Sequence, residues 1–235
     1  MRLEQRPDVL VFDCGDTLVE LVPSREVICQ EVLQAAGAAV DLALIRRAYD
    51  IADALMKQRS STERTRDAKA RFLTDYNSAL CDALGLRSLA AVVDPAMQAA
   101  FRSGPHWTAD PSTQAFLAWA SERFPCYVLA NWDSRLPAVL DYAGIRPFFT
   151  GAYCSEELGV EKPAPECFAR FLEATGLADK RRLYIGNEYL ADVAGSRAAG
   201  FEPVLIDRYG RYPSAMDCLR ITDWAQLRQR LDVAA

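Results

Sequence analysis

Residues 9–18 read VLVFDCGDTL. Val9 to Phe12 is an unbroken apolar run, the pattern of a parallel strand buried on both faces. Asp13 follows at its carboxyl end, and Gly15, Asp16 and Thr17 bring turn chemistry directly after it. In an open parallel sheet, ligands sit beyond the carboxyl ends of the strands, near the point where the strand order reverses. A carboxylate placed there is a candidate reaction centre.

Runs of the same kind recur at Tyr127–Ala130, Leu183–Ile185 and Pro203–Ile206. Between them lie helical periods. Leu136, Val139, Leu140 and Ala143 are spaced i, i+3, i+4, i+7 and are stopped by Gly144, and Phe168, Phe171 and Leu172 precede Gly176. A third helix is expected from Leu190 to Ala199, ending at Gly200, and Asp110-Pro111 reads as an N-cap with proline at the first helical position. Strands alternating with helices predict an α/β fold with a doubly wound parallel sheet. From 23 to 108 helical patterns follow one another (Arg25–Ala36, Leu42–Gln58, Ala68–Leu84, Pro95–Phe101) with no strand between them. That block is an all-helical insertion, which sets the expected division at 1–22 and 109–235 for the α/β core and 23–108 for the helices. The Lys- and Arg-rich stretch Lys57–Arg71 reads as a solvated helix face, or as an anion-attracting rim.

The residues that follow the strand runs decide the chemistry. Asn131-Trp132-Asp133 follows the second run. Glu161-Lys162-Pro163 follows a short extended piece, Gly151–Cys154. Gly186-Asn187-Glu188 follows Leu183–Ile185, with Asp192 further on. Carboxylates, one lysine and an amide would thus meet in one cleft. Such a set suits attack of an aspartate on phosphorus, with a lysine and a hard cation such as Mg²⁺ offsetting the accumulated charge. The remaining composition narrows the alternatives. A single histidine, His106 in the turn-like SGPHWTADP, excludes H-E-x-x-H zinc chemistry and leaves a Ser-His-Asp triad only that one residue. Seven scattered cysteines without a C-x-x-C pair fit reduced thiols in the cytoplasm. A net charge of −5 argues against non-specific nucleic-acid binding, no apolar run reaches membrane-spanning length, and the opening residues do not read as a secretory signal. The expected partner is a small anionic molecule.

The motifs resemble those of the haloacid dehalogenase superfamily over essentially the whole chain. VLVFDCGDTLVEL is similar to its first motif, VLANWDSRL to its second, GVEKPAPECF to its third and IGNEYLADVAGSRAAGF to its fourth. NWDSRL together with SEELGVEKP is most similar to the rhythmically-expressed-gene branch. The resemblance implies a Rossmann-like core with residues 23–108 as a mobile cap, Asp13 as nucleophile and Lys162 as the charge-balancing lysine. It further implies Asn131 and Thr17 as substrate-binding groups, and a Mg²⁺ site drawn from Asp13, the Gly15 carbonyl, Asn187, Glu188 and Asp192.

Three positions depart from the phosphatase pattern. Gly15 stands where the family's phosphatases carry a second aspartate as general acid and base, and Asp16 is the neighbouring candidate for that role. Ala130 replaces the phosphate-binding hydroxyl, and Asn187 replaces a metal-binding aspartate. Three readings follow: a Mg²⁺-assisted phosphatase of small metabolites with a thinned catalytic set, a silent relative that binds a ligand or partner, or different chemistry on the same nucleophile. In the third class the dehalogenases place an aromatic residue where Gly15 stands. The phosphonate hydrolases place a small residue there and use a cap lysine, for which Lys57 is the candidate. Trp107 and Trp132, flanking the cleft in sequence, are expected to pack in the core, and Cys14 to be a buried filler.

Overall fold

The strand that the sequence places first, β1 (Val9–Phe12), lies in the middle of a six-stranded sheet of the computed structural model, which describes residue 3 and residues 5–57, 66–103, 106–213 and 215–233. The chain forms two compact units, Met1–Glu20 with Trp107–Ala235, and Leu21–His106. After β1, β2 (Glu20–Val22) leads into α1 (Arg25–Ala35), α2 (Leu42–Lys57), α3 (Arg66–Ala83) and α4 (Ala90–Ser103). Ser24 caps α1 by accepting from the Val27 N–H. The helices close over their own core of Ile28, Cys29, Leu33, Ile45, Tyr49, Leu80 and Met97. The side chain of Lys57 and the basic segment 58–65 lie outside the described residues.

Alternation resumes with β3 (His106–Thr108), which pairs with β2 in a separate two-stranded sheet. His106 therefore opens a strand, although its Gly-Pro neighbours read as a turn. Then come α5 (Pro111–Ser121), β4 (Cys126–Ala130), α6 (Leu136–Tyr142), β5 (Gly151–Cys154), α7 (Ser155–Leu158), α8 (Pro165–Thr175) and β6 (Arg182–Gly186). After β6 the expected helix at Leu190–Ala199 is replaced by a π-helical stretch, Tyr189–Ala194, running into α9 (Gly195–Ala198). The chain ends in β7 (Glu202–Ile206), β8 (Leu219–Ile221) and α10 (Trp224–Val233). Asp110 caps α5 as read from the sequence: its carboxylate accepts from the N–H groups of Ser112 and Thr113, with Pro111 at the first turn.

The strand order is β5-β4-β1-β6-β7-β8, every pairing parallel. The unbroken apolar runs follow from burial on both faces. Leu10 and Phe12 point to one side, among Phe116, Leu117, Leu140 and Trp224. Val9 and Val11 point to the other, against Phe168, Phe171 and Phe201. Phe12 meets Phe116, Phe149 and Trp224 edge to face, and burying one such side chain contributes about 1.5–3 kcal/mol. Sequence order reverses between β1 and β6. Asp13 leaves β1 at that point, its N–H donating to the Ile185 carbonyl of β6 at 2.9 Å.

Candidate active site

Asp13 is partly exposed, and its two carboxylate oxygens have different partners. Lys162 Nζ donates to Oδ1 at 2.8 Å, and the Thr17 hydroxyl lies 3.1 Å from Oδ2. Lys162 is buried, 4% exposed, and reaches Asp13 from the loop after β5 and α7. Its other donors go to Asp192 Oδ1 at 2.7 Å and to the Tyr184 hydroxyl at 2.6 Å, and Tyr184 donates its own proton to the Leu129 carbonyl at 2.7 Å. The ammonium is thus satisfied by three oxygens, one just past β1, one in β6 and one on the π-helical stretch that follows β6.

The electrostatics follow from that burial. Desolvation works against the charge on Lys162, but the carboxylates of Asp13 and Asp192 outweigh it and hold the ammonium well above its ordinary range. Burial pushes Asp192 up to about 6, against the pull of Lys162. Burial also raises Tyr184, which stays a neutral donor, and raises Cys14, assisted by Asp13, so the Cys14 thiol is inert. With one ammonium against two carboxylates, the cluster is negative by one charge.

Asp192 reaches this position because residue 186 is glycine. A Cβ there would fall 2.3 Å from Asp192 Cγ. Its second oxygen accepts the Glu188 N–H at 2.8 Å. Each oxygen of this buried carboxylate thus accepts one protein donor, and Asp192, expected as a metal ligand, anchors Lys162. Glu188, also expected at the metal, enters this network through its backbone.

Asn131 and Thr17, expected to bind substrate, also bond to protein groups of the site. Asn131 clasps the Lys162 backbone at two points, Nδ2 donating to its carbonyl at 2.9 Å and Oδ1 accepting its N–H at 2.8 Å. The second motif thereby holds the third. One N–H of this exposed amide is left for a ligand. Thr17 is 1% exposed, and its hydroxyl sits 3.1 Å from both Asp13 Oδ2 and Asn187 Oδ1. One hydroxyl has one proton, so donation to Asp13 is compatible with Asn187 only when the amide presents its N–H to Thr17.

The loop geometry explains Gly15 and Asp16. Asp16 adopts φ 55°, a left-handed conformation that aspartate tolerates better than most residues, and its N–H donates to the Val19 carbonyl at 2.8 Å. Gly15 is not left-handed; what restricts it is its neighbours. A Cβ at 15 would meet Trp132 Cζ3 at 3.2 Å and Trp107 at 3.9 Å, and the two indoles pack edge to face with centroids 4.8 Å apart. Among the described residues no three His, Cys, Asp or Glu side chains gather to hold a metal. Hard oxygens near Asp13 include its own carboxylate and the Asn187 amide, which shares the Thr17 hydroxyl with it, and the Gly15 carbonyl follows two residues on in the chain. Such all-oxygen donors, with one charge to spare, fit Mg²⁺ completed by water and substrate oxygens.

Two supporting residues had no separate signal in the sequence. Tyr184 lies inside the LYI run, where the apolar pattern hides its hydroxyl. Arg208, just after β7, donates to Asp110 at 2.7 Å, to the Thr113 hydroxyl at 3.0 Å and to the Thr17 carbonyl at 3.2 Å, bracing the loop that follows β1.

Comparison with known proteins agrees with this architecture. A family model described as haloacid dehalogenase-like hydrolase matches residues 7–200. A phosphoserine phosphatase of Thermus thermophilus is 33% identical over 132 residues, 54% of this chain and 52% of that protein. The rhythmically expressed gene 2 protein of Drosophila melanogaster is 30% identical over 82 residues, 34% of this chain and 32% of that protein. The chain spans between about a third and about half of the length of these curated relatives. Among solved structures, the putative HAD-hydrolase YfnB of Bacillus subtilis, bound to magnesium, superposes with TM-score 0.75 at 20% identity, covering 97% of this chain and 100% of that one; the likeness is one of fold.

Proposed function

We propose hydrolysis of a small phosphorylated metabolite as the reaction of this chain, which belongs to the haloacid dehalogenase-like hydrolase family. The observation that carries the reading is the placement of Lys162 Nζ 2.8 Å from Asp13 at the carboxyl ends of the central strands, itself locked by Asp192 and Tyr184. Phosphatase relatives point to phosphorus as the atom attacked.

An Asp13 oxygen attacks phosphorus, and the bond to the leaving oxygen breaks with its electron pair going to that oxygen. Water then attacks the aspartyl-phosphate at phosphorus, loses a proton to solvent, and returns Asp13 as carboxylate with release of inorganic phosphate. Lys162 stays charged throughout and offsets charge gathering at the reacting centre, and Thr17 and Lys162 together fix the carboxylate's orientation. A phosphate arriving beside a cluster already negative by one charge needs a further cation. Asp13, the Gly15 carbonyl and Asn187 would hold Mg²⁺, which supplies that neutralisation when bound. The seven cysteines, all free and buried, suit a reducing cytoplasm.

The test is phosphate release by the purified chain with Mg²⁺ across a panel of acyl, aryl and alkyl phosphates. Turnover that drops to background in Asp13→Asn and on chelation is expected. A panel that yields no phosphate from any member overturns the reading.

A further inference from the structure

The polar groups around Asp13 are unevenly distributed. Lys162 and Thr17 bond to Asp13, and Asn187 lies beyond the Thr17 hydroxyl. Two residues on, at residue 15, the direction a side chain would take is filled by Trp132 at 3.2 Å, backed by Trp107. Both indoles are partly buried against the core and partly open, and the Trp132 backbone is held through its carbonyl by the Ser155 hydroxyl at 3.2 Å and the Glu156 N–H at 3.2 Å. The groups in contact with Asp13 are poor proton donors. Lys162 is held in its charged form between two carboxylates, and Thr17 is a buried alcohol.

A departing oxygen needs a proton in proportion to its basicity. An alkoxide leaves badly without one, and a positioned acid is worth about 10²–10⁴ in rate. A carboxylate, enolate or aryloxide leaves as the anion and gains little from an acid. A flat aromatic leaving group also buries apolar area against an indole, whereas a polyol leaving group loses water there. From the tryptophan wall at residue 15 and from Lys162 and Thr17 as the groups bonded to the Asp13 carboxylate, we infer that this site selects phosphates whose leaving group departs unprotonated, acyl, enol and aryl phosphates, over phosphates of ordinary alcohols.

The inference rests on the phosphatase reading, and bond changes are those already given: the P–O bond breaks toward the leaving oxygen, which keeps the electron pair and takes no proton from the protein. The experiment measures kcat/KM with Mg²⁺ for acetyl phosphate, a series of substituted phenyl phosphates, glycerol phosphate and phosphoserine. kcat/KM is the informative constant, because it reports steps only up to loss of the leaving group. A steep fall with leaving-group basicity is expected, with the alkyl esters at least about 100-fold below the aryl esters. A flat profile overturns the inference while leaving the phosphatase reading in place, as does a profile that becomes steep only in Asp16→Asn, which would identify Asp16 as the acid. Silence toward every compound removes the reading itself and the inference with it. A second measurement probes the wall. Gly15→Asp alone is expected to lower kcat/KM on every ester, because Trp132 blocks the new side chain. In a Trp132→Ala background the same substitution is expected to raise kcat/KM for glycerol phosphate about 10-fold or more. An equal effect of Gly15→Asp in both backgrounds overturns the role given to the wall.

Discussion

The two sides of Asp13 are built on opposite principles. Toward Lys162 the site is a closed polar network: an ammonium, two carboxylates, a phenol, a backbone carbonyl and a clasping amide, each matched donor to acceptor within 2.9 Å. Toward Gly15 it is apolar, with two indoles standing where a residue-15 side chain would project. In the phosphoryl transfer proposed above, the first side would hold Asp13 and balance charge. The second would leave unmet what only some substrates need, a proton for the leaving group. A chain can therefore keep the nucleophile's support intact while narrowing the esters it serves.

The contrast is most easily broken from the polar side. Lys162→Met leaves the buried Asp192 and the partly exposed Asp13 as uncompensated neighbours. We expect a loss of about 10²–10³ in kcat and about 3–5 kcal/mol in stability, read by steady-state kinetics and chemical denaturation. Unchanged stability would show that the network is not a unit. A smaller effect is expected for Tyr184→Phe, which removes one acceptor from Lys162 and strands the Leu129 carbonyl. It should cost about 1–3 kcal/mol, with kcat lowered and KM little changed, since the hydroxyl acts through Lys162. A change confined to KM would contradict that route.

On the apolar side, Trp132→Ala sharpens the comparison. It should cut kcat/KM for aryl phosphates by several-fold, about 1 kcal/mol of lost aromatic contact, and leave acetyl phosphate almost untouched. Equal losses on both substrates would mean that the indole only packs. The smallest effect belongs outside both sides. Asp110 caps α5 and pairs with Arg208; burial opposes its charge, but Ser112, Thr113 and Arg208 prevail and hold it well below the usual carboxylate range. A depressed carboxylate stabilises the fold above its unfolded pKa and loses that contribution as pH falls through the folded value. Asp110→Asn should thus cost about 1 kcal/mol near neutrality and flatten the fall of Tm below about pH 4. A Tm profile parallel to that of the unaltered protein would contradict this.

How much of this was legible varies with what each residue advertises. The α/β fold followed from apolar runs too continuous for half-exposed strands; Asp13 stood out because it follows such a run, and Lys162 because its motif, after the short extended piece Gly151–Cys154, resembles the family's third. β8 carried no signal, since three residues are too few to show a period. The π-helical turn at Tyr189–Ala194 was invisible to a reading that looks for a period of 3.6 residues, and it is the turn that carries Asp192. The roles of Thr17 and Asn131 depend on what each polar atom touches across the sheet, which spacing along the chain does not encode. Trp107 and Trp132 read as core, and they do pack against it, but only the Cβ direction of Gly15 shows what else their position excludes.

The central claim is that Asp13 takes the phosphoryl group. It is tested most directly by mixing the protein with Mg²⁺ and acetyl phosphate, quenching in acid within one turnover, and mapping the adduct by peptide mass spectrometry. The account predicts one phosphoryl group on the peptide containing Asp13, absent in Asp13→Asn. Phosphate released with no adduct at any time, or an adduct on another residue, would contradict it.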